Sequence, residues 1–140
     1  MTTSKPKPAN SFTRTRRDHA SETAEDYVEA IAEIVDEHGQ CRGADLARLF
    51  GVSHVTVTKT IARLQSEGLV ESEPYGPIAL SSRGKRLASS SRERHVLVLD
   101  FLRAIGVDEQ TAQIDAEGIE HHVSKKTLEC FRKVIEQRQP

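Results

Sequence analysis

Cysteine is nearly missing from this chain: of 140 residues only Cys41 and Cys130 carry a thiol. They stand far apart and outside any C-x-x-C pattern, which excludes a disulfide framework and a structural zinc knuckle. Both are expected to be free thiols with no part in ligation. Long apolar runs are lacking too. No window approaches the ~18 to 20 consecutive apolar residues that span a bilayer, and the first residues have no apolar secretory stretch. A cytoplasmic setting without a membrane partner is expected. Net charge is almost absent, at −1, but the balance is uneven. Residues 1–17 carry Lys5, Lys7, Arg14, Arg16 and Arg17 with no acid, whereas residues 18–88 hold 7 basic against 12 acidic side chains. Nucleic acid therefore remains a possible partner, through a local basic footprint.

What is present is helical periodicity. Residues 1–20 lack it and read as a disordered basic arm that could add phosphate contacts on DNA. Tyr27, Ile31, Ile34 and Val35 then mark one face of a helix over about 24–38, stopped at Gly39. A short helix over 43–50, a tight turn at Gly51-Val52-Ser53, and a helix over 54–67 with the inward stripe Val57, Ile61 and Leu64 follow. Residues 69–73 and 78–80 flank Pro74-Tyr75-Gly76-Pro77 as a brief β-hairpin. This order is that of a winged helix-turn-helix.

A long helix over about 82–104 comes next. Its stretch from His95 to Leu102 is apolar almost all round and needs cover on several sides, from two further helices (108–122 and 124–137) and from a second copy of the chain. The expected fold is mainly α: an N-terminal winged helix-turn-helix over 21–82, then an all-helical metal-binding and dimerisation domain over 83–140.

In a helix-turn-helix the second helix offers its N-terminal residues to base edges in the major groove. The outward set here is His54, Val55, Thr56, Thr58, Lys59 and, a turn later, Arg63, with Ser53 placed to cap the helix or bind a phosphate. Hydroxyls, a lysine and a small apolar group suit mixed phosphate, base and thymine-methyl contacts.

The run Glu117-Gly118-Ile119-Glu120-His121-His122 is the most informative segment. On a helix, positions i, i+3 and i+4 share a face, so Glu117, Glu120 and His121 converge and His122 points elsewhere. Asp26 and Glu29, spaced i, i+3, can reach one ion, although Thr23-x-x-Asp26 also reads as a capping-box-like helix start. His95 lies on the apolar side of the long helix, where a core role and a ligand role are both open. If the three helices meet, four clustered carboxylates repel one another until cations enter, and two divalent ions would neutralise them. That balance favours a binuclear site. Oxygen-rich, thiolate-free surroundings with two imidazoles suit Mn²⁺ or Fe²⁺ better than Mg²⁺ or Ca²⁺.

From about Thr23 onward the chain resembles the manganese-responsive transport regulators of the diphtheria-toxin-repressor family. The segments that carry the resemblance are Glu25-Asp26-Tyr27-Val28-Glu29, Ala79-Leu80-Ser81-Ser82-Arg83-Gly84, Arg92-Glu93-Arg94-His95 and, above all, the block from Asp115 to Ser124. The resemblance implies a two-metal site on Asp26, Glu29, His95, Glu117, Glu120 and His121. Iron-type relatives carry sulfur-containing side chains at the positions of Asp26 and Glu120, so oxygen at both implies the manganese branch. The chain also stops at Pro140 without the SH3-like domain of longer members, as expected of the shorter manganese type.

The expected function is that of a homodimeric repressor, activated by two Mn²⁺ per subunit, which binds a palindromic double-stranded DNA operator of metal-transport genes. Fe²⁺ is a possible substitute. A winged-helix regulator sensing iron or an organic ligand is the competing binding-module reading. A metalloenzyme is disfavoured: the late motif is neither H-E-x-x-H nor a pair of E-x-x-H helices, and no small-molecule substrate is implied.

Overall fold

The computed structural model describes the backbone of residues 9–138 and the side chains of residues 19–138. Six helices and one hairpin follow in the order α1 (Ala9–His38), α2 (Gly43–Phe50), α3 (His54–Ser66), β1 (Val70–Ser72), β2 (Ile78–Leu80), α4 (Ser82–Ala104), α5 (Glu109–Ile119) and α6 (Lys125–Arg138).

The first helix begins at Ala9, well before the expected start near 24. Residues 9–20, read from sequence as part of a disordered arm, are thus helical; residues 1–8 lie outside the described residues. No glycine or proline interrupts residues 9–38, so an unbroken run of tolerable helix formers continues N-terminally from the packed segment. The same continuity removes the capping box expected at Thr23. That threonine sits inside the helix and donates its hydroxyl back to the His19 carbonyl at 3.0 Å, which frees Asp26 from any capping duty.

Two apolar clusters organise the chain. The first joins Val28 and Ile31 of α1, Leu46 of α2, Val57, Ile61 and Leu64 of α3, and Val70 and Ile78 of the hairpin. Tyr27 stacks on Phe50 with ring centroids 4.5 Å apart. Burying each such side chain contributes roughly 1.5–3 kcal/mol. The strands pair antiparallel with Val70 opposite Leu80, and Cys41 extends the sheet by a single bridge to Ile78. Gly51 ends α2 in the left-handed region at φ 64°, which sets the sharp turn into α3.

The second cluster gathers Val98, Leu99 and Leu102 of α4, Ala112 and Ala116 of α5, and Leu128 of α6, with Phe101 stacked on Phe131 at 3.9 Å. Helix α4 belongs to both clusters, through Ala88 at its start and Val98 further on. Its N-terminus is stitched to the hairpin side. Ser81 accepts from the Gly84 amide at 3.0 Å and donates to the Gly68 carbonyl at 2.6 Å. Val96, Ile105 and Ile114 remain exposed, so the single chain does not cover the whole apolar surface of its C-terminal half.

Helix α5 ends at Ile119, earlier than the expected 122. The chain must turn here to enter α6. His122 donates to the Ile119 carbonyl at 3.1 Å and Ser124 accepts from the Thr127 amide at 3.2 Å, opening the next helix. Among the described residues no helix is long and apolar enough to cross a membrane.

Candidate metal centre and nucleic-acid interface

Among the described residues, the only buried polar or charged side chains are Ser91 and Glu120. Glu120 is 2% exposed and reaches out with both oxygens. Oε2 lies 2.6 Å from Nδ1 of His95 on α4, and Oε1 lies 3.3 Å from Nε2 of His121. That same Nε2 is 3.2 Å from Oδ1 of Asp26 on α1. Four of the six residues proposed from sequence, Asp26, His95, Glu120 and His121, therefore form one connected group drawn from three segments.

Glu29, one helical turn beyond Asp26, accepts a short hydrogen bond from the Ser91 hydroxyl. Glu117 is exposed and makes no ion pair or hydrogen bond with the other five among the described contacts. It joins Glu29 and His95 instead along an open groove of about 920 Å³, whose rim also carries Lys85 and Arg92. The i, i+3, i+4 convergence expected of Glu117, Glu120 and His121 is thus only partly realised. The helix ends between the first residue and the other two, and the turn carries Glu120 and His121 inward.

Electrostatics mark the group as starved of positive charge. Burial raises the Glu120 carboxyl to about 7, opposed by His95 and helped by repulsion from Glu29. Glu29 is likewise raised by burial, with the Ser91 hydroxyl opposing and Asp26 adding to the shift. The hydrogen bonds of His121 to Asp26 and Glu25 hold its imidazole protonated up to about 10. Oxygen and nitrogen donors, with no sulfur among them, fit a divalent first-row ion. Cys41 is buried in the N-terminal cluster with its thiol pushed up to about 11, first by burial and then by Asp45. Cys130 is exposed on α6.

Sequence reasoning missed Glu22, Glu25, Ser91, Arg94 and His122. Oxygen or nitrogen atoms of Glu22, Asp26 and His121 lie within 4.8 Å of one another, and His122 Nε2 is 3.4 Å from Glu22 Oε2. Glu25 contacts both His121 and Arg94. A signal existed: Glu22, Glu25, Asp26 and Glu29 fall at i, i+3, i+4 and i+7, an acidic stripe along one helix face.

On the opposite cluster, α3 presents His54, Val55, Thr56, Thr58 and Lys59 to solvent, with Val55 63% exposed. Ser53 caps the helix, accepting from the Thr56 amide at 3.1 Å. Thr58 bonds back to the His54 carbonyl at 2.9 Å. Arg63 departs from the expected outward set. It is half-buried, and its Nη2 donates to the Ala20 carbonyl of α1 at 3.4 Å. Lying beside the inward stripe, its long side chain reaches the neighbouring helix rather than a groove.

Comparison with known proteins agrees with this layout. Residues 19–78 match the iron dependent repressor N-terminal DNA binding domain, and residues 81–139 match the iron dependent repressor metal binding and dimerisation domain. The transcriptional regulator MntR of Escherichia coli O157:H7 is 45% identical over 121 residues, covering 86% of this chain and 78% of that protein. The HTH-type transcriptional regulator MntR of Bacillus subtilis (strain 168) is 38% identical over 112 residues, covering 80% and 79%. A solved manganese-dependent transcriptional repressor in complex with manganese superposes with a TM-score of 0.71 at 28% identity, over 81% of this chain. This chain spans about half, 52%, of that longer structure. The matched family is one of transcriptional repressors, not of enzymes. The chain belongs to the iron-dependent repressor family, as an MntR-type, metal-dependent transcriptional repressor with a DNA-binding and a dimerisation domain.

Proposed function

We propose that this protein is a cytoplasmic, manganese-activated homodimeric repressor that binds palindromic operators of metal-transport genes, with Asp26, Glu29, His95, Glu117, Glu120 and His121 holding two Mn²⁺ per subunit. One observation carries the reading: Nε2 of His121 sits between Asp26 of α1 and Glu120, at 3.2 and 3.3 Å, with His95 on the other oxygen of Glu120. Divalent cations supply the positive charge that lets these carboxylates share one place. Oxygen at Asp26 and Glu120 and the manganese named in relatives' descriptions support Mn²⁺; Fe²⁺ fits the same donors less selectively.

The residues explain how a metal signal reaches DNA. Asp26 and Glu29 lie on α1, which shares the first apolar cluster with α3. Repulsion between the α1 acids and Glu120 favours separation of the two halves. Neutralised, the same acids hold α1 against α4 and set α3 in a fixed place. In a dimer, covering Val96, Ile105 and Ile114 with a second copy, two such helices would stand about one DNA turn, ~34 Å, apart. Ser53, His54, Val55, Thr56, Thr58 and Lys59 are the proposed readers.

Mobility-shift assays on the promoter of a metal-transport gene should show binding that requires Mn²⁺ and is lost on chelation. Equal binding without metal refutes the proposal. Anomalous scattering at the manganese edge then counts the ions.

A further inference from the structure

Nδ1 of His121 has a partner of its own. It lies 2.5 Å from Oε2 of Glu25, while Oε1 of the same carboxylate takes the Arg94 guanidinium at 2.8 Å. The unit is enclosed: the side chains of His121 and Glu25 are 2% and 12% exposed. Glu25 comes from α1, Arg94 from α4, and His121 from the turn after α5, so three segments meet in one hydrogen-bonded chain.

We propose that Glu25, gripped by Arg94, is a positioning residue of the metal centre, capturing Nδ1–H of His121 so that Nε2 is the nitrogen turned to the cation. This rests on the reading of the centre given above. The two ring nitrogens of an imidazole point in different directions, so fixing Nδ1 on Glu25 commits Nε2 to the side where Asp26 and Glu120 stand. A carboxylate behind a ligating histidine fixes its tautomer and orientation and makes it a stronger donor.

Glu25 does not serve as a further ligand. Adjacent to Asp26, it is rotated by about 100° around α1 and meets the far edge of the ring. Both its oxygens are engaged, and Arg94 cancels its charge, so it adds nothing to the surplus negative charge of the site. Arg94 immediately precedes His95, so one turn of α4 supplies both a proposed ligand and the clamp for the histidine opposite.

The test uses the full-length protein, with calorimetric titration of Mn²⁺ and ¹⁵N spectra of labelled histidine in the Zn²⁺-loaded, diamagnetic form. In the wild type, His121 should keep its proton on Nδ1 and bind Zn²⁺ through Nε2. Glu25→Ala should lower Mn²⁺ affinity roughly 10- to 100-fold and free the ring to turn, so that part of the Zn²⁺-loaded protein coordinates through Nδ1 with the proton on Nε2. Glu25→Gln, which keeps an acceptor, should recover much of the affinity. Circular dichroism of the metal-free variants checks folding, and should Glu25→Ala fail to fold, Glu25→Gln and Arg94→Ala decide the matter by the His121 tautomer alone.

Coordination through Nδ1 in the wild type overturns the proposal. So does Glu25→Ala with unchanged Mn²⁺ affinity, or a weakened variant whose His121 tautomer stays fixed, since that marks a merely structural ion pair. A wild-type protein that takes up no Mn²⁺ at all overturns the reading of the centre as well, which separates the two failures.

Discussion

Oδ1 of Asp26 faces Nε2 of His121 across 3.2 Å, joining the helix that packs on the DNA-reading half to the turn that follows α5. On the proposed function, this contact would make Asp26 the direct link between metal and operator. Asp26→Ala removes one donor and leaves both apolar clusters intact, because Asp26 belongs to neither. At a fixed Mn²⁺ concentration that saturates the wild type, operator affinity should fall at least about tenfold, equivalent to ~1.4 kcal/mol. Fluorescence anisotropy on a labelled operator reads the change. Retention of the wild-type Mn²⁺ dependence would detach α1 from the centre.

Chelated protein should lose stability as pH rises. Both Glu120, at about 7, and His121, at about 10, have folded-state values above their ordinary ones of 4.5 and 6.5. The folded state therefore holds protons that the unfolded chain gives up. The stabilisation is complete below the unfolded values and is lost as pH climbs through the folded ones. In EDTA, the urea midpoint should decline from about pH 4.5, where Glu120 begins to contribute, to about pH 10, where His121 has lost its proton. Over the same window Mn²⁺ affinity should increase, because the proton on Nε2 of His121 must leave before that nitrogen can ligate. An affinity flat across this range would contradict the assignment of His121.

Among the glycines of the chain, Gly84 leaves the least room for a Cβ. A Cβ built there would lie 2.0 Å from the Leu69 carbonyl oxygen, and that oxygen already accepts from the Ser81 amide at 3.0 Å. Neither partner is the end of a flexible side chain, so the strand and the helix start must separate. Gly84→Ala should cost about 3 kcal/mol, the upper part of the overpacking range, measured as a shift in the denaturation midpoint with an unchanged slope. A variant as stable as the wild type would show that the helix start is free to slide.

Legibility followed distance along the chain. The stripe Val57, Ile61 and Leu64, the turn at Gly51 and the hairpin from Val70 to Leu80 are local patterns, and each stands where its spacing placed it. The start of α1 was missed because a basic, polar segment without an apolar stripe gives periodicity nothing to report. In the candidate site, acids and histidines at helical spacing singled out Asp26, Glu120 and His121. The pairing of His121 with Glu25 spans 96 positions and that of Ser91 with Glu29 spans 62, and no local rule reaches so far. Glu117 is the converse case. Its spacing suits a continuous helix, and the helix ends two residues later.

Helix α3 lets charge and sequence reading be separated. Ser53 and Thr56 are tied to each other and Thr58 to the His54 carbonyl, which leaves His54, Val55 and Lys59 as exposed side chains with no internal hydrogen-bond partner among the described residues, and Val55 and Lys59 differ most in what they can offer DNA. A lysine meeting phosphate contributes equally on any sequence, so Lys59→Ala should weaken specific and non-specific binding alike and reduce the salt slope by about 1. Val55 can offer only apolar contact, suited to a thymine methyl. Val55→Ser should therefore leave the salt slope unchanged while narrowing the gap between the operator and a single thymine-to-uracil substitution, by an amount within ~1–3 kcal/mol per base pair. Titrations at several salt concentrations on both duplexes distinguish the two roles. If Lys59→Ala alters preference between sequences without moving the slope, the lysine reads a base edge and the assignment of roles along α3 must be reversed.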